Sequence, residues 1–246
     1  MKFGLIGFPV GHSFSRDYFI QKFQSEGRTS FTYDLLELKA IEEVIPILHN
    51  GYMGLNVTIP YKSAILRYIN DIDPDALHIG AVNTLVRSGL NSWKGFNTDV
   101  IGFRESLLQW FAGIPLPTHA LVLGTGGAAK AVLFVLGQLG IHATMVSLSM
   151  TGTLKYEDLD QAIIQQHTLI INTTPLGMMP DVQTCPPIPF AYITSSHWLF
   201  DLVYNPVNTL FLTRGAQNGA RTQNGLGMLH LQADHAWTIW KSYGKF

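Results

Sequence analysis

Residues Leu121 to Gly140 read LVLGTGGAAKAVLFVLGQLG. An apolar run, a glycine turn and a longer apolar stretch, in that order, describe a buried strand, a tight turn and a helix that packs back on the strand. Gly124 permits the sharp turn. Gly126 and Gly127 let backbone N–H groups at the helix N-terminus approach a pyrophosphate, and Ala128 is small where helix and strand must pack closely. An ordinary strand-to-helix turn would also use glycines, so the motif points to a dinucleotide only through its setting. Downstream, HATMVSL (142–148) reads as the next strand, 156–165 as a helix, HTLIINTT (167–174) as a third strand and HWLFDLVY (197–204) as a fourth, ending at Asp201. Upstream, strands are expected over 3–7, 31–36, 54–57 and 81–86, with helical spacing over 41–48 and 61–68. Ser15 is placed to cap a helix whose apolar face carries Tyr18, Phe19 and Phe23. This alternation is the pattern of parallel strands joined by crossover helices, so the class is α/β.

The stretch 226–240 sets Leu229, Ala233, Ala236, Trp237 and Trp240 at helical intervals, and is expected to return to the first domain. No Ser- or Gly-rich linker marks a boundary. Motif logic puts it near Asp99 and predicts one domain over 1–99 with 225–246 and a dinucleotide-binding domain over 100–224.

The 246 residues have room for two modest domains, and 47% of them are hydrophobic, enough for a sizeable core. A formal charge of -1, with a pI near 6.7, leaves no basic excess to neutralise a phosphate backbone. Nucleic acid is therefore excluded as the main partner, and small molecules are expected. Cys185 is the only cysteine, which rules out an internal disulfide and fits a reducing cytosol. MKFGLIGFPVGHS lacks the apolar region of a signal peptide, and no apolar run approaches the roughly 18 residues of a membrane span. The expectation is a cytoplasmic protein without membrane attachment. The nine histidines show no metal-ligand spacing, so no metal is expected, and His12, His142 and His235 read as structural.

Polar residues gather in short strings of the first domain. GHSFS (11–15) presents Ser13 and Ser15 just past a strand end, where an α/β sheet exposes its ligand crevice; two hydroxyls there suit a carboxylate, although either would also serve as a helix cap. In NVTIPYK (56–62), Asn56 and Thr58 close a strand and Pro60 is expected to start a helix, with Lys62 in its first turn. AVNT (81–84) places Asn83, and FNTD (96–99) places Asn97 and Asp99, again at strand ends. Singly each is most often a cap. Jointly they offer a lysine and a carboxylate as a proton-handling pair beside amide and hydroxyl groups.

After the strand at 142–148 an acid would meet ribose hydroxyls and an arginine a 2′-phosphate. MVSLSMTGTLKY (145–156) offers neither: Ser147 and Ser149 can bond ribose or phosphate oxygens, or simply form the turn, and Lys155 is the nearest cation. Cofactor preference stays open on this reading.

The strings GHSFS, NVTIPYK, GAVNT, NTD, GTGGAAKA, NTTPLGM, DLVYNPVNT and NGLGMLHLQ follow one another across nearly the whole chain in an order and spacing that resemble the shikimate dehydrogenase family. The resemblance implies two α/β domains around a cleft, an N-terminal substrate domain and a Rossmann-like dinucleotide-binding domain. It implies reduction of 3-dehydroshikimate to shikimate with NADPH, on the route to chorismate and the aromatic amino acids. Ser13 and Ser15 would hold the substrate carboxylate, with Tyr204 near it. Thr58, Asn83 and Gln232 would bind ring hydroxyls. Lys62 and Asp99 would form the catalytic dyad that trades the proton at the C3 oxygen, while Met178 and Gly225 would lie near the nicotinamide. Ser147 to Ser149 stand where the family carries Asn-Arg-Thr. Leu148 thus replaces the arginine that pairs with the 2′-phosphate, which predicts weaker NADP(H) binding and keeps NAD(H) open. Asn224 stands where the family often has aspartate. Quinate oxidation with NAD or mixed cofactors, and a non-catalytic sensor of pathway ligands, are the competing readings; monomer and homodimer are both compatible with the sequence.

Overall fold

Two sheets organise the residues described in the computed structural model, which are 1–11, 13–148 and 154–244. The first sheet draws on β1 (Lys2–Gly7), β2 (Thr32–Glu37), β3 (Tyr52–Val57), β4 (Asp71–Ile72), β5 (Thr84–Gly89) and β6 (Ser92–Phe96), in the order β2-β1-β3-β5-β6-β4. Between them lie α1 (Ser15–Ser25), α2 (Val44–Leu48) and α3 (Pro74–Ile79). β1 runs parallel to β2 and β3, whereas β5 is antiparallel to β3 and to β6. This corrects the expectation of a wholly parallel sheet. Only Leu90 and Asn91 separate β5 from β6, too few residues for a crossover, so the pair must form a hairpin. The start of β5 therefore meets the ends of β3 and β6, with Thr84 opposite both Asn56 and Phe96.

Alternation along β1 sends Phe3 and Leu5 to one face and Ile6 to the other. One face packs on Val44, Leu48, Ile65 and Trp93. The other carries an aromatic layer of Phe3, Phe19, Phe23, Tyr33, Trp237 and Trp240.

The second sheet follows α4 (Thr98–Trp110) and consists of β7 (His119–Leu123), β8 (His142–Val146), β9 (Leu169–Asn172), β10 (Trp198–Asp201) and β11 (Arg221–Asn224), with α5 (Gly127–Gln138), α6 (Gln161–Gln166) and α7 (Leu210–Gln217) between strands. Every pairing is parallel, and the order is β11-β10-β9-β7-β8. Every residue of β9 and β10 is buried, as expected of a parallel sheet covered on both faces. The order reverses between β7 and β9, so the glycine turn after β7 stands at the switch point, where such sheets bind ligands.

α8 (Leu226–Tyr243) closes the chain. Cα proximity divides the protein into two compact units, Met1–Thr98 with Gln232–Phe246, and Asp99–Leu231. The C-terminal part of α8 is tied into the first unit: Trp240 Nε1 donates to Leu85 O at 2.9 Å, Trp237 Nε1 donates to Glu26 at 2.8 Å, and Lys22 pairs with Asp234 at 2.6 Å.

Three local expectations change. Residues 61–68 are not an α-helix; a 3₁₀ segment covers Ala64–Tyr68, and Lys62 lies in the turn before it. Its carbonyl accepts from Val82 N at 2.7 Å and is thus committed outside any helix. Ser15 is the first residue of α1, not its cap: its N–H donates to Ser13 Oγ at 3.2 Å. The helix expected over 156–165 breaks into a 3₁₀ turn at Tyr156–Asp158 and α6, where Asp160 caps by accepting from Ile163 N at 2.9 Å.

Candidate active site

In the first unit the polar strings converge on the edge formed by the ends of β1, β3 and β6 and the start of β5. The loop after β1 is pinned by Glu37, at the end of β2, whose Oε1 accepts from Val10 N and Gly11 N, both at 2.9 Å. Ser13 N then donates to Val10 O at 2.9 Å, which sets Ser13 and Ser15 side by side, each half-buried. Thr58 follows β3 and its N–H donates to Ile6 O at 2.8 Å, beside the same loop. Lys62 is half-buried.

Asn83 is held most firmly. Its Oδ1 accepts from Thr98 N at 2.7 Å and from the hydroxyls of Thr84 and Thr98 at 3.1 and 3.2 Å. A backbone N–H can only donate, so the amide oxygen must face Thr98 and the NH₂ is presented the other way, where it donates to Gln232 Oε1 at 3.4 Å. Asn83 and Gln232, 149 residues apart in sequence, are thereby brought together. Three side chains that the sequence reading did not single out complete the set: Tyr33, Thr84 and Thr98, all buried. Tyr33 Oη donates to Asn56 Oδ1 at 2.8 Å, and Asn56 Nδ2 donates to Thr84 Oγ at 3.2 Å and to Asn83 O at 3.3 Å. Thr84 was legible inside AVNT and Thr98 inside FNTD. Tyr33 gives no such signal, because an aromatic residue inside a strand reads as core.

In the second unit Gly124 has φ +106°, a conformation that favours glycine, and a Cβ there would press on Thr173 Oγ at 2.8 Å. Gly126 precedes α5, and a Cβ on it would meet nothing within 4 Å. Gly127 and Ala128 open α5, whose first turn carries no acid to repel phosphate. These residues fit a dinucleotide pyrophosphate. Ser147 is buried after β8, and Leu148 is 77% exposed. Ser149 lies outside the described residues, as does His12. Met178, after β9, is exposed, and Tyr204, after β10, is half-buried. A Cβ on Gly225 would collide with the Leu202 carbonyl, so that position requires glycine for packing. Asn224 accepts from Leu226 N at 3.2 Å and donates to Val207 O at 3.0 Å, keeping the capping role an aspartate would have. Asp99 is buried in the first turn of α4.

The loops after β9 and β10 share one buried carboxylate. Asp201 accepts from Asn172 Nδ2 at 2.9 Å, Val203 N at 3.0 Å and Thr209 Oγ at 2.6 Å. Burial pushes its pKa up to about 6, and the three hydrogen bonds offset only part of that rise.

Fold and residues define a class: a two-unit α/β protein with a dinucleotide-type parallel sheet in one unit and a hydroxyl- and amide-lined strand edge in the other. The shikimate dehydrogenase substrate binding domain matches residues 5–85. A shikimate dehydrogenase (NADP(+)) of Methanococcus maripaludis strain C7 is 38% identical over 96% of this chain and 90% of its own length. One of Halothermothrix orenii is 35% identical over 96% and 89%. The crystal structure of the Thermus thermophilus shikimate 5-dehydrogenase in complex with NADP(H) and shikimate superposes with a TM-score of 0.86 at 31% identity, covering 98% of this chain and 94% of that one. The chain belongs to the shikimate dehydrogenase family.

Proposed function

We propose that this protein catalyses the reversible, NADP(H)-linked reduction of 3-dehydroshikimate to shikimate in the cytoplasm, as a monomer or homodimer. The observation that carries this reading is the hydrogen-bonded set around the side-chain amides of Asn83 and Gln232, with Thr58 one residue past Val57, whose N–H donates to Asn83 O at 2.8 Å, and with Ser13 and Ser15 side by side after β1. Such a set suits a small ring bearing hydroxyls and a carboxylate. Ser13 and Ser15 take the carboxylate, with Tyr204 as a further hydroxyl for it, and Thr58, Asn83 and Gln232 take the ring hydroxyls. Lys62 exchanges the proton at the C3 oxygen, acting as acid in reduction and base in oxidation. Asp99 is the second catalytic group and accepts from a substrate hydroxyl. NADP(H), when bound, supplies or takes the hydride. Gly124, Gly126, Gly127 and Ala128 hold its pyrophosphate, Ser147 and Ser149 its adenosine end, and Met178 and Gly225 its nicotinamide.

Mixed nucleotide use is favoured by one specific feature. From Ala143 to Leu154 no side chain carries an ionisable group, and Lys155 Nζ is engaged with Glu157 at 3.2 Å. A 2′-phosphate therefore gains no charge-assisted bond from the end of β8, the contact that most strongly separates NADP(H) from NAD(H). Shikimate and quinate oxidation, each with NADP+ and NAD+, test the reading together. Shikimate turnover is expected, and Leu148→Arg is expected to lower the KM for NADPH several-fold while leaving that for NADH unchanged. An unchanged KM for NADPH contradicts the assignment of this turn.

A further inference from the structure

Tyr33 lies in β2, opposite Phe3 of β1. Its ring is stacked on Phe19 at 4.7 Å between centroids and lies 6.4 Å from Trp240, in the aromatic layer of the first unit. The hydroxyl is the only polar part of a fully enclosed side chain. It donates to Asn56 Oδ1 at 2.8 Å. The proton positions follow by elimination. Asn56 Nδ2 faces the Asn83 carbonyl, which can only accept, so Asn56 Oδ1 faces Tyr33 and the phenol must donate to it. Burial raises the Tyr33 pKa far above its ordinary value, so this proton stays on the phenol throughout the working pH range.

Beyond Asn56 the same polarity runs on: Asn56 to Thr84 at 3.2 Å, Thr84 to Asn83 Oδ1 at 3.1 Å, and Asn83 Nδ2 to Gln232 at 3.4 Å. We propose that Tyr33 is a positioning residue for substrate recognition, one buried hydroxyl that fixes the Asn56–Thr84–Asn83–Gln232 chain. The ring-hydroxyl contacts of the proposed function are thus set by a group that touches no substrate atom, and the Asn83 and Gln232 amides meet the ring already oriented. Removing the phenol oxygen leaves Asn56 Oδ1 a buried acceptor without its donor, which favours rearrangement of the amide.

This inference rests on the shikimate reading, and the wild-type assay separates the two: without wild-type shikimate turnover the reading itself fails. With turnover established, Tyr33→Phe is expected to raise the KM for shikimate about tenfold, to change kcat less than about threefold, and to leave NADP+ affinity unaltered. Combined with Thr84→Val, its effect on KM should shrink to about twofold or less, since the two act through one chain. A role in packing alone would lower the melting temperature and leave the KM unchanged, or give a KM effect that simply adds to that of Thr84→Val; either result overturns the proposal. Should Tyr33→Phe not fold, Thr84→Val cuts the same chain one link further on. It is expected to raise the KM for shikimate likewise, and an unchanged KM there overturns the proposal too.

Discussion

Asp201 shows at the level of one residue how the second unit trades stability for loop order. Its side chain has no exposed surface, and its carboxylate joins the ends of β9 and β10 through Asn172, Val203 and Thr209. Since its folded pKa, about 6, exceeds the unfolded value of 3.8, the folded state holds the proton more tightly. Stability contributed by this group is fully present below about pH 4 and is lost as pH rises through about 6. The loss amounts to roughly 3 kcal/mol at most, taking about 1.4 kcal/mol per unit. Denaturant melts of wild type and Asp201→Asn across about pH 4 to 7 check the sign: the stability difference should move in favour of the variant as pH rises over that window. A difference independent of pH contradicts the assigned titration.

At the level of elements, β3 and α8 depend on one missing side chain. A Cβ on Gly54 would collide with the Trp240 indole, whose Nε1 is committed to Leu85 O at 2.9 Å and so resists displacement. Gly54→Ala is expected to cost about 3 kcal/mol or more, as overpacking of a dense core does. Urea denaturation measures it, and a loss under about 0.5 kcal/mol contradicts the packing described. The sequence made such elements legible unevenly. β1, β7, β9 and β10 are apolar runs between turn signals and were readable as strands. β11, Arg221–Asn224, is polar and lies at the sheet edge, so no apolar pattern marks it. α4 was hidden by Gly102, although Val100, Phe103, Leu107 and Phe111, all buried, recur at helical spacing. A strand was expected over 81–86, but the antiparallel direction of β5 was unreadable from its own residues and follows from the short turn to β6. The candidate site was legible where residues sit beside strand ends in polar strings, as Ser13 and Asn83 do. It was illegible where a polar atom is carried by a core aromatic residue, as in Tyr33.

At the level of the whole molecule, substrate falls to the first unit and nucleotide to the second in the proposed function, and both crossings of the chain between units fall within helices, α4 and α8. No helix among the described residues is long and apolar enough to cross a membrane. The order of motifs, the glycine turn at the switch point of the second sheet and the amide pair at the edge of the first support the proposed function, whose proton step is assigned to Lys62. The direct test is NADP+-linked shikimate oxidation by the purified wild type and Lys62→Ala, followed through NADPH absorbance with NADP+ affinity measured alongside. Turnover by the wild type is expected, with a loss of about 10² to 10⁴-fold in kcat for the variant and NADP+ affinity unchanged. Turnover by Lys62→Ala equal to wild type, or no oxidation of shikimate by the wild type, would contradict this chemistry.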